Sequence, residues 1–270
     1  MSRKIAFIVV FYVLLYSCKE AKDTKFVYTT EDIFELAPPR IEVDSLLFRN
    51  SARVSAEFNM QDSQIRYTTD GSPVTESSTL YTEPLRVDGP AKFVFSSFHP
   101  AYKKSKEVHT RLIQLKYNVS NAKVTLKPNP HSNYEGNGAK GLVDLKKGTL
   151  QFRGDKNWLG FQSDQVLIRL EFNEETPITK LVVSSLNDHG SWIFGPKGIE
   201  VRSNGLKIGE LKRAVPQEME PKRLKLLDIS ITEGTYKNIE IQIDLIEVIP
   251  DWHQGKGTVP FLFIDEILVE

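Results

Sequence analysis

The chain is nearly devoid of cysteine. Cys18 is the only one among 270 residues, so no intramolecular disulfide can form. An excess of one charge is also missing. Lys and Arg number 35 against 35 Asp and Glu, and no basic stripe of the kind that tracks a phosphate backbone stands out, which argues against a nucleic-acid partner. No apolar run reaches the roughly 20 residues that a membrane-spanning helix needs. Helical periodicity is hard to find after residue 40. Catalytic signatures are absent as well: there is no Gly-x-Ser-x-Gly elbow, no His-Glu-x-x-His pair and no phosphate loop.

The most informative stretch is the first. Arg3 and Lys4 precede an unbroken apolar run from Ile5 to Tyr16, the layout of a secretory leader. The run ends in Leu15-Tyr16-Ser17-Cys18, which resembles the bacterial lipobox, Tyr16 being looser than the usual pattern. That resemblance implies cleavage after residue 17 and acylation of Cys18, giving a leader (1–17), a lipid-anchored tether (18–39) and contact with membrane through Cys18 only. Several acyl chains on one cysteine anchor durably, at roughly 0.8 kcal/mol per buried CH₂. Lys19 in place of Asp argues against inner-membrane retention. Lys19-Glu20-Ala21-Lys22-Asp23 resembles the surface-export signals of Bacteroidetes lipoproteins, which implies the outer membrane or cell surface of a Gram-negative bacterium.

Beyond the tether, short alternating runs recur between turn residues, the pattern of an all-β chain. Ile65-Arg66-Tyr67-Thr68-Thr69 alternates and meets Asp70-Gly71, a hairpin signal because glycine accepts positive φ. Lys92–Ser96 and Lys106–Leu115 read as further strands. So do Val166–Leu170, Ile178–Ser184, Gly198–Arg202, Asn238–Ile243 and Phe261–Val269. Spacings of about ten residues with turn clusters between them favour sandwiches. An apolar content of 40% suffices for packed cores, and the length fits two consecutive β-sandwich domains, 40–117 and 118–270.

In the first of these, Tyr67, Thr68, Asp70, Gly71, Thr75, Ser78 and Tyr81, continued by Thr82-Glu83-Pro84-Leu85, fall in register with the chitobiase/β-hexosaminidase C-terminal domain, which this stretch resembles. Pro73-Val74 departs from the family's order. The resemblance implies a small immunoglobulin- or fibronectin-like sandwich acting as a spacer. The residues themselves read as structural: Asp70-Gly71 turns the chain, Tyr67 and Tyr81 pack across it, and the Ser/Thr cluster satisfies loop amides.

The second half resembles the discoidin-like, galactose-binding-like jelly roll of the coagulation factor 5/8 type C superfamily. The residues that carry this are Gly141-Leu-Val-Asp144, Asn157-Trp158-Leu159-Gly160-Phe161, Ser191-Trp192-Ile193-Phe194-Gly195-Pro196, Trp252-His253-Gln254-Gly255-Lys256-Gly257 and Phe263-Ile264-Asp265-Glu266-Ile267. In this order the chain is similar to the C-terminal tail of family 20 β-hexosaminidases without the catalytic barrel.

All three tryptophans, Trp158, Trp192 and Trp252, lie in this half. Aromatic faces stack on sugar rings while a few polar groups read the hydroxyls, the usual composition of a small-ligand site. The candidate ligand-binding set is therefore Trp252, His253, Lys256, Asn157, Trp158, Asp188, His189 and Trp192. Apolar neighbours favour core or rim positions for Trp158 and Trp192. Trp252-His253, between Asp251 and a Gly-Lys-Gly loop, is expected to be exposed, with His253 as the leading sugar contact. The superfamily resemblance further implies one structural Ca²⁺, held by the carbonyls of Gly141 and Lys146, by Asp144 and Thr149 at the family's spacing, and by Glu266. Lys146-Lys147 departs from that pattern, because two lysines beside a dication are unfavourable unless they point to solvent. No organic cofactor is expected.

A glycosidase would need two carboxylates about 5 to 9.5 Å apart. Asp265 and Glu266, as neighbours in a strand, are expected on opposite faces. Asp251 with Glu247, and Asp155 with Asp164, remain formal alternatives. A (β/α)₈ barrel needs roughly 200 residues, for which two sandwiches leave no room. The expectation is a non-catalytic envelope lipoprotein that binds amino-sugar or galactose-type glycans through loops of the C-terminal sandwich. A structural or protein-binding module of an outer-membrane glycan-processing system is the alternative.

Overall fold

The computed structural model describes residues 34–270; Cys18, the leader and most of the tether lie outside them. The described chain is all-β. The first part comprises β1 (Arg40–Val43), β2 (Leu47–Phe48), β3 (Ala52–Glu57), β4 (Gln64–Thr68), β5 (Thr79–Leu80), β6 (Leu85–Val87), β7 (Ala91–Phe98) and β8 (Val108–Gln114). These form a three-stranded sheet, β1-β3-β6, and a five-stranded sheet, β2-β8-β7-β4-β5. Alternation explains the arrangement: Ala52, Val54 and Ala56 of β3 point inward while Arg53, Ser55 and Glu57 stay toward water.

Val54, Phe93, Phe95 and Leu112 fill the space between the sheets. Tyr67 stacks on Phe95 at 5.6 Å, and the Tyr81 hydroxyl accepts the Ala56 N–H at 3.0 Å, tying one sheet to the other. The Asp70-Gly71 turn forms, with Gly71 at φ 88° and Asp70 Oδ1 accepting both the N–H and the hydroxyl of Ser72. It opens a loop rather than a two-residue hairpin, and the Thr75 N–H within that loop finds the Ser78 hydroxyl at 2.9 Å.

The second part comprises β9 (Lys123–Lys127), β10 (Leu159–Phe161), β11 (Gln165–Asn187), β12 (Gly198–Ser203), β13 (Leu206–Lys212), β14 (Arg223–Asp244) and β15 (Leu262–Val269). β11 and β14 are long enough to run through both layers. The start of β11 pairs with β9 and with the end of β14, which in turn pairs with β12; the end of β11 pairs with β15 and with the start of β14. Register shifts between Glu171 and Thr176 and between Ile178 and Lys180 mark the crossing, the local distortion that lets a strand change layers. Leu170, Val183, Val201, Ile229, Ile241 and Ile264 meet in the core between the layers.

Every residue of β15 is buried, as are those from Leu181 to Asn187 in β11. Strands covered on both faces explain this. One face meets the inter-layer core; on the other, Val182 and Leu268 pack with Leu47 and Ile113 of the first sandwich. A bidentate ion pair closes the same junction, with the Arg111 guanidinium donating to both Asp228 oxygens at 2.7 and 2.8 Å.

Candidate functional site

The loops 188–197, 213–222 and 245–261 are joined at one end of the second sandwich. β11 leaves its ladder at Asn187, and the chain folds straight back: Asp188 and Ile193 exchange both backbone hydrogen bonds at 3.0 Å. The intervening turn, His189–Ser191, ends on Trp192 in the left-handed region at φ 62°, a conformation that costs a non-glycine residue about 1 kcal/mol or more and persists only where surroundings enforce it. Here the enforcement comes from the facing loop. The Trp192 indole lies on Gly255, where a Cβ would stand 2.9 Å from the ring.

Beneath Trp192 the loops are joined by two histidines. The Gly255 N–H donates to His253 Nδ1 at 3.0 Å, so His253 carries its proton on Nε2 and gives it to the His189 carbonyl at 2.9 Å. The Glu220 N–H donates to His189 Nδ1 at 3.1 Å. His189 stacks on Phe194 with ring centres 4.2 Å apart, and Trp252 donates its indole N–H to the Pro216 carbonyl at 2.7 Å. Burial lowers the His189 pKa, outweighing the attraction of Glu220, and the imidazole stays neutral. Its Nε2 is buried without a partner among the described residues. Burial opposes ionisation of Glu220 as well, but hydrogen bonds from Lys225 and Arg223 win and bring it down to about 2.

The sequence set thus divides. Asp188, His189, Trp192, Trp252 and His253 come together, with Lys256 on the same loop. Their exposure differs from expectation. Trp192 is 41% exposed, whereas His253 is 2% exposed with both ring nitrogens engaged, so His253 is a bolt between loops rather than a surface contact. Trp252 is half-buried. Asn157 and Trp158 belong elsewhere. Trp158 is fully buried, donating to the Thr149 carbonyl at 2.9 Å and lying so close to Gly148 that a Cβ there would meet the ring at 2.3 Å.

One residue beside the cluster has no signal in the sequence. Lys222 pairs with Asp188 at 3.0 Å and lies 5.3 Å over the Phe152 ring, which Arg153 covers as well. It sits in an irregular loop whose neighbours only folding brings near.

The residues expected to hold calcium converge in part. Glu266 is fully buried, and among the described residues neither of its oxygens has a well-formed hydrogen bond, the nearby Leu145 amide giving only a weak one; burial, reinforced by Asp265 and Asp144, pushes it up to about 9. An orphaned buried carboxylate is what an ion would satisfy. The other partners face elsewhere: Asp144 Oδ1 accepts the Lys146 N–H at 2.9 Å, and the Thr149 hydroxyl and N–H both engage Asp155 at 3.0 and 2.8 Å. A lysine is already in place, the Lys147 ammonium donating to Asp265 Oδ2 at 2.6 Å. At an effective dielectric near 20, a dication ~4 Å from that ammonium would be repelled by about 8 kcal/mol. The donor set does not fit a resident Ca²⁺ beside Lys147.

Asp265 and Glu266 also correct the alternation argument. Ser184 pairs with Glu266 and Ser185 with Ile264, which leaves Asp265 as the extra residue of a bulge, and both carboxylates lie by Lys147 instead of on opposite faces.

The described residues form an all-β chain of two sandwiches, with the exposed Trp192 indole mounted on the loop-end cluster of the second. Residues 47–110 match the chitobiase/beta-hexosaminidase C-terminal domain family, in agreement with the resemblance carried by Tyr67 to Tyr81. No curated protein matches the chain. Among solved structures it is similar to CpGH89CBM32-5 from Clostridium perfringens, in complex with GalNAc-β-1,3-galactose, at 18% identity over 56% of this chain and 96% of that one, with a TM-score of 0.36. The C-terminal domain of a chitobiase from Bacteroides fragilis shares 19% identity over 57% and 95%, with a TM-score of 0.36. A SusE-like protein shares 13% over 85% and 95%, with a TM-score of 0.39.

Proposed function

We propose that this chain is a non-catalytic, lipid-anchored envelope protein that binds carbohydrate at the loop end of its second sandwich. One observation carries the reading: Trp192 presents an exposed indole, fixed on the Gly255 backbone by its left-handed turn. A rigid aromatic face loses little entropy when a sugar ring stacks on it. Gln254 and Lys256, both exposed, flank Gly255, and the Asp188–Lys222 pair lies beside the turn; these supply hydroxyl partners. The carboxylates do not suggest hydrolysis. Asp155 holds the Thr149 and Asn157 amides, and Glu247 pairs with Lys197 at 2.8 Å. The lipid anchor on Cys18, the outer-membrane or surface location and a protein partner there rest on the sequence alone.

A glycan array probed with the full chain tests this. Binding to a few amino-sugar or galactose-terminated glycans, weakened roughly thirty-fold by Trp192→Ala at unchanged melting temperature, is expected for an anchor worth about 2 kcal/mol. Silence of the folded protein across the array would overturn the sugar reading in favour of a protein partner.

A further inference from the structure

We propose that the Lys147 ammonium is a built-in cation, filling from within the chain the place where a divalent ion would otherwise sit, and so making the C-terminal sandwich independent of calcium.

Three features of the fold lead there. The bulge at Asp265 turns two fully buried carboxylates, Asp265 and Glu266, toward the same side of β15. A carboxylate such as Asp265 in so dry a place, with a second carboxyl group beside it, needs a positive charge nearby. Lys147 supplies it. Its side chain is only 13% exposed, and the ammonium is held by Asp265 Oδ2 at 2.6 Å and by the Ser184 hydroxyl. The Gly148 N–H adds a second donor to the same carboxylate oxygen at 2.7 Å. The cation is therefore surrounded by a carboxylate and a hydroxyl oxygen, hard ligands of the kind calcium takes. Finally, the side chains that would complete a metal shell are engaged elsewhere, Thr149 with Asp155 and Asp144 with the Lys146 amide.

Ser184 and Glu266 are cross-strand partners in the face where Val182 and Leu268 meet the first sandwich. The ammonium thus fastens the 144–149 loop beside the junction of the two sandwiches. Losing it leaves Asp265 and Glu266 with oxygen ligands and no cation, a vacancy that a calcium ion of suitable charge can enter.

The test is thermal melting of the full chain in EGTA and in millimolar CaCl₂. Wild type is expected to melt at the same temperature in both. Lys147→Met, which keeps the apolar stem and removes the charge, is expected to melt roughly 10 °C lower in EGTA, the scale of a broken buried pair, and to recover most of that loss in calcium. Lys147→Met/Glu266→Gln should remain low in both. Equilibrium dialysis with ⁴⁵Ca²⁺ should find no bound ion on wild type and one per chain on Lys147→Met. Calcium that stabilises or binds wild type would overturn the proposal, because a metal would then share the site with the lysine. A Lys147→Met variant that melts like wild type in EGTA would overturn it too. So would one that stays low, or stays unfolded, in calcium as in EGTA. If Lys147→Met folds only when calcium is present, the proposal stands.

Discussion

At Trp192 the backbone is held at φ 62° so that a large apolar ring faces water, and both features oppose stability. The surroundings explain how the position persists: His253 and His189 join the facing loops from below with bonds of 2.9 to 3.1 Å. The glycines opposite the aromatics matter for the same reason. Gly148 lies against the Trp158 ring, with 2.3 Å left for a Cβ. Gly148→Ala must displace a fully buried indole or the loop that carries Lys147, and overpacking of this kind costs about 1–3 kcal/mol. A fall in melting temperature of roughly 5 °C is expected by calorimetry, and no fall would show that the Trp158 pocket is looser than described.

The ionisable groups under the site set its acid sensitivity. His189 has a lowered pKa and Glu220 is held near 2. The unfolded chain therefore takes up the His189 proton first, near the ordinary value of 6.5, and the Glu220 proton near 4.5. Both contributions are present above those values and fade as pH falls toward the folded ones. Glu266, pushed up to about 9, holds a proton in the folded chain that the unfolded chain takes up only near 4.5, and so offsets the His189 uptake between those two values. Denaturant unfolding at fixed pH should therefore show stability nearly level between about 6.5 and 4.5 and stepping down below 4.5. In Glu220→Gln that step should shrink; an unchanged step would assign the acid sensitivity to other carboxylates.

Among the elements, β4, β7 and β8 of the first sandwich were readable from the runs Ile65–Thr69, Lys92–Ser96 and Lys106–Leu115, although β7 is buried on both faces from Phe93 to Ser97. The Asp70-Gly71 turn and the pairing of Tyr67 with Tyr81 are local features, and the structure contains them, whereas β3, for all its alternation, was not singled out. The long strands were readable only in pieces. β11 carries two runs, Val166–Leu170 and Ile178–Ser184, on either side of a polar stretch, and folding joins them into one strand that changes layers through two register shifts. The bulge at Asp265 escaped for a related reason, since an extra residue in β15 is defined by what β11 offers opposite it. The candidate site was half legible. Trp192, Asp188, His189, Trp252 and His253 were identifiable from aromatic and polar composition, but which of them faces water depends on how loops distant in sequence stack.

Taken whole, the two sandwiches share apolar surface: Leu47 and Ile113 of one pack with Val182 and Leu268 of the other, flanked by the Arg111–Asp228 pair. If one sandwich unfolded alone, these apolar residues of the other would be exposed to water, a cost that favours a joint transition. Calorimetry should give a single transition for wild type. Ile113→Asp, which places an unpaired charge in that contact, should separate it into two. Two transitions in wild type would show that the first sandwich is a loosely attached spacer.

The fixed indole at the loop end is proposed to stack on sugar. Isothermal titration of the full chain with an amino-sugar- or galactose-terminated oligosaccharide, in wild type and in Trp192→Ala, tests it most directly. Saturable binding to wild type at one site per chain and a roughly thirty-fold weaker Kd for Trp192→Ala are expected. Equal affinity in the two proteins would contradict the proposal and place any sugar site away from this loop end.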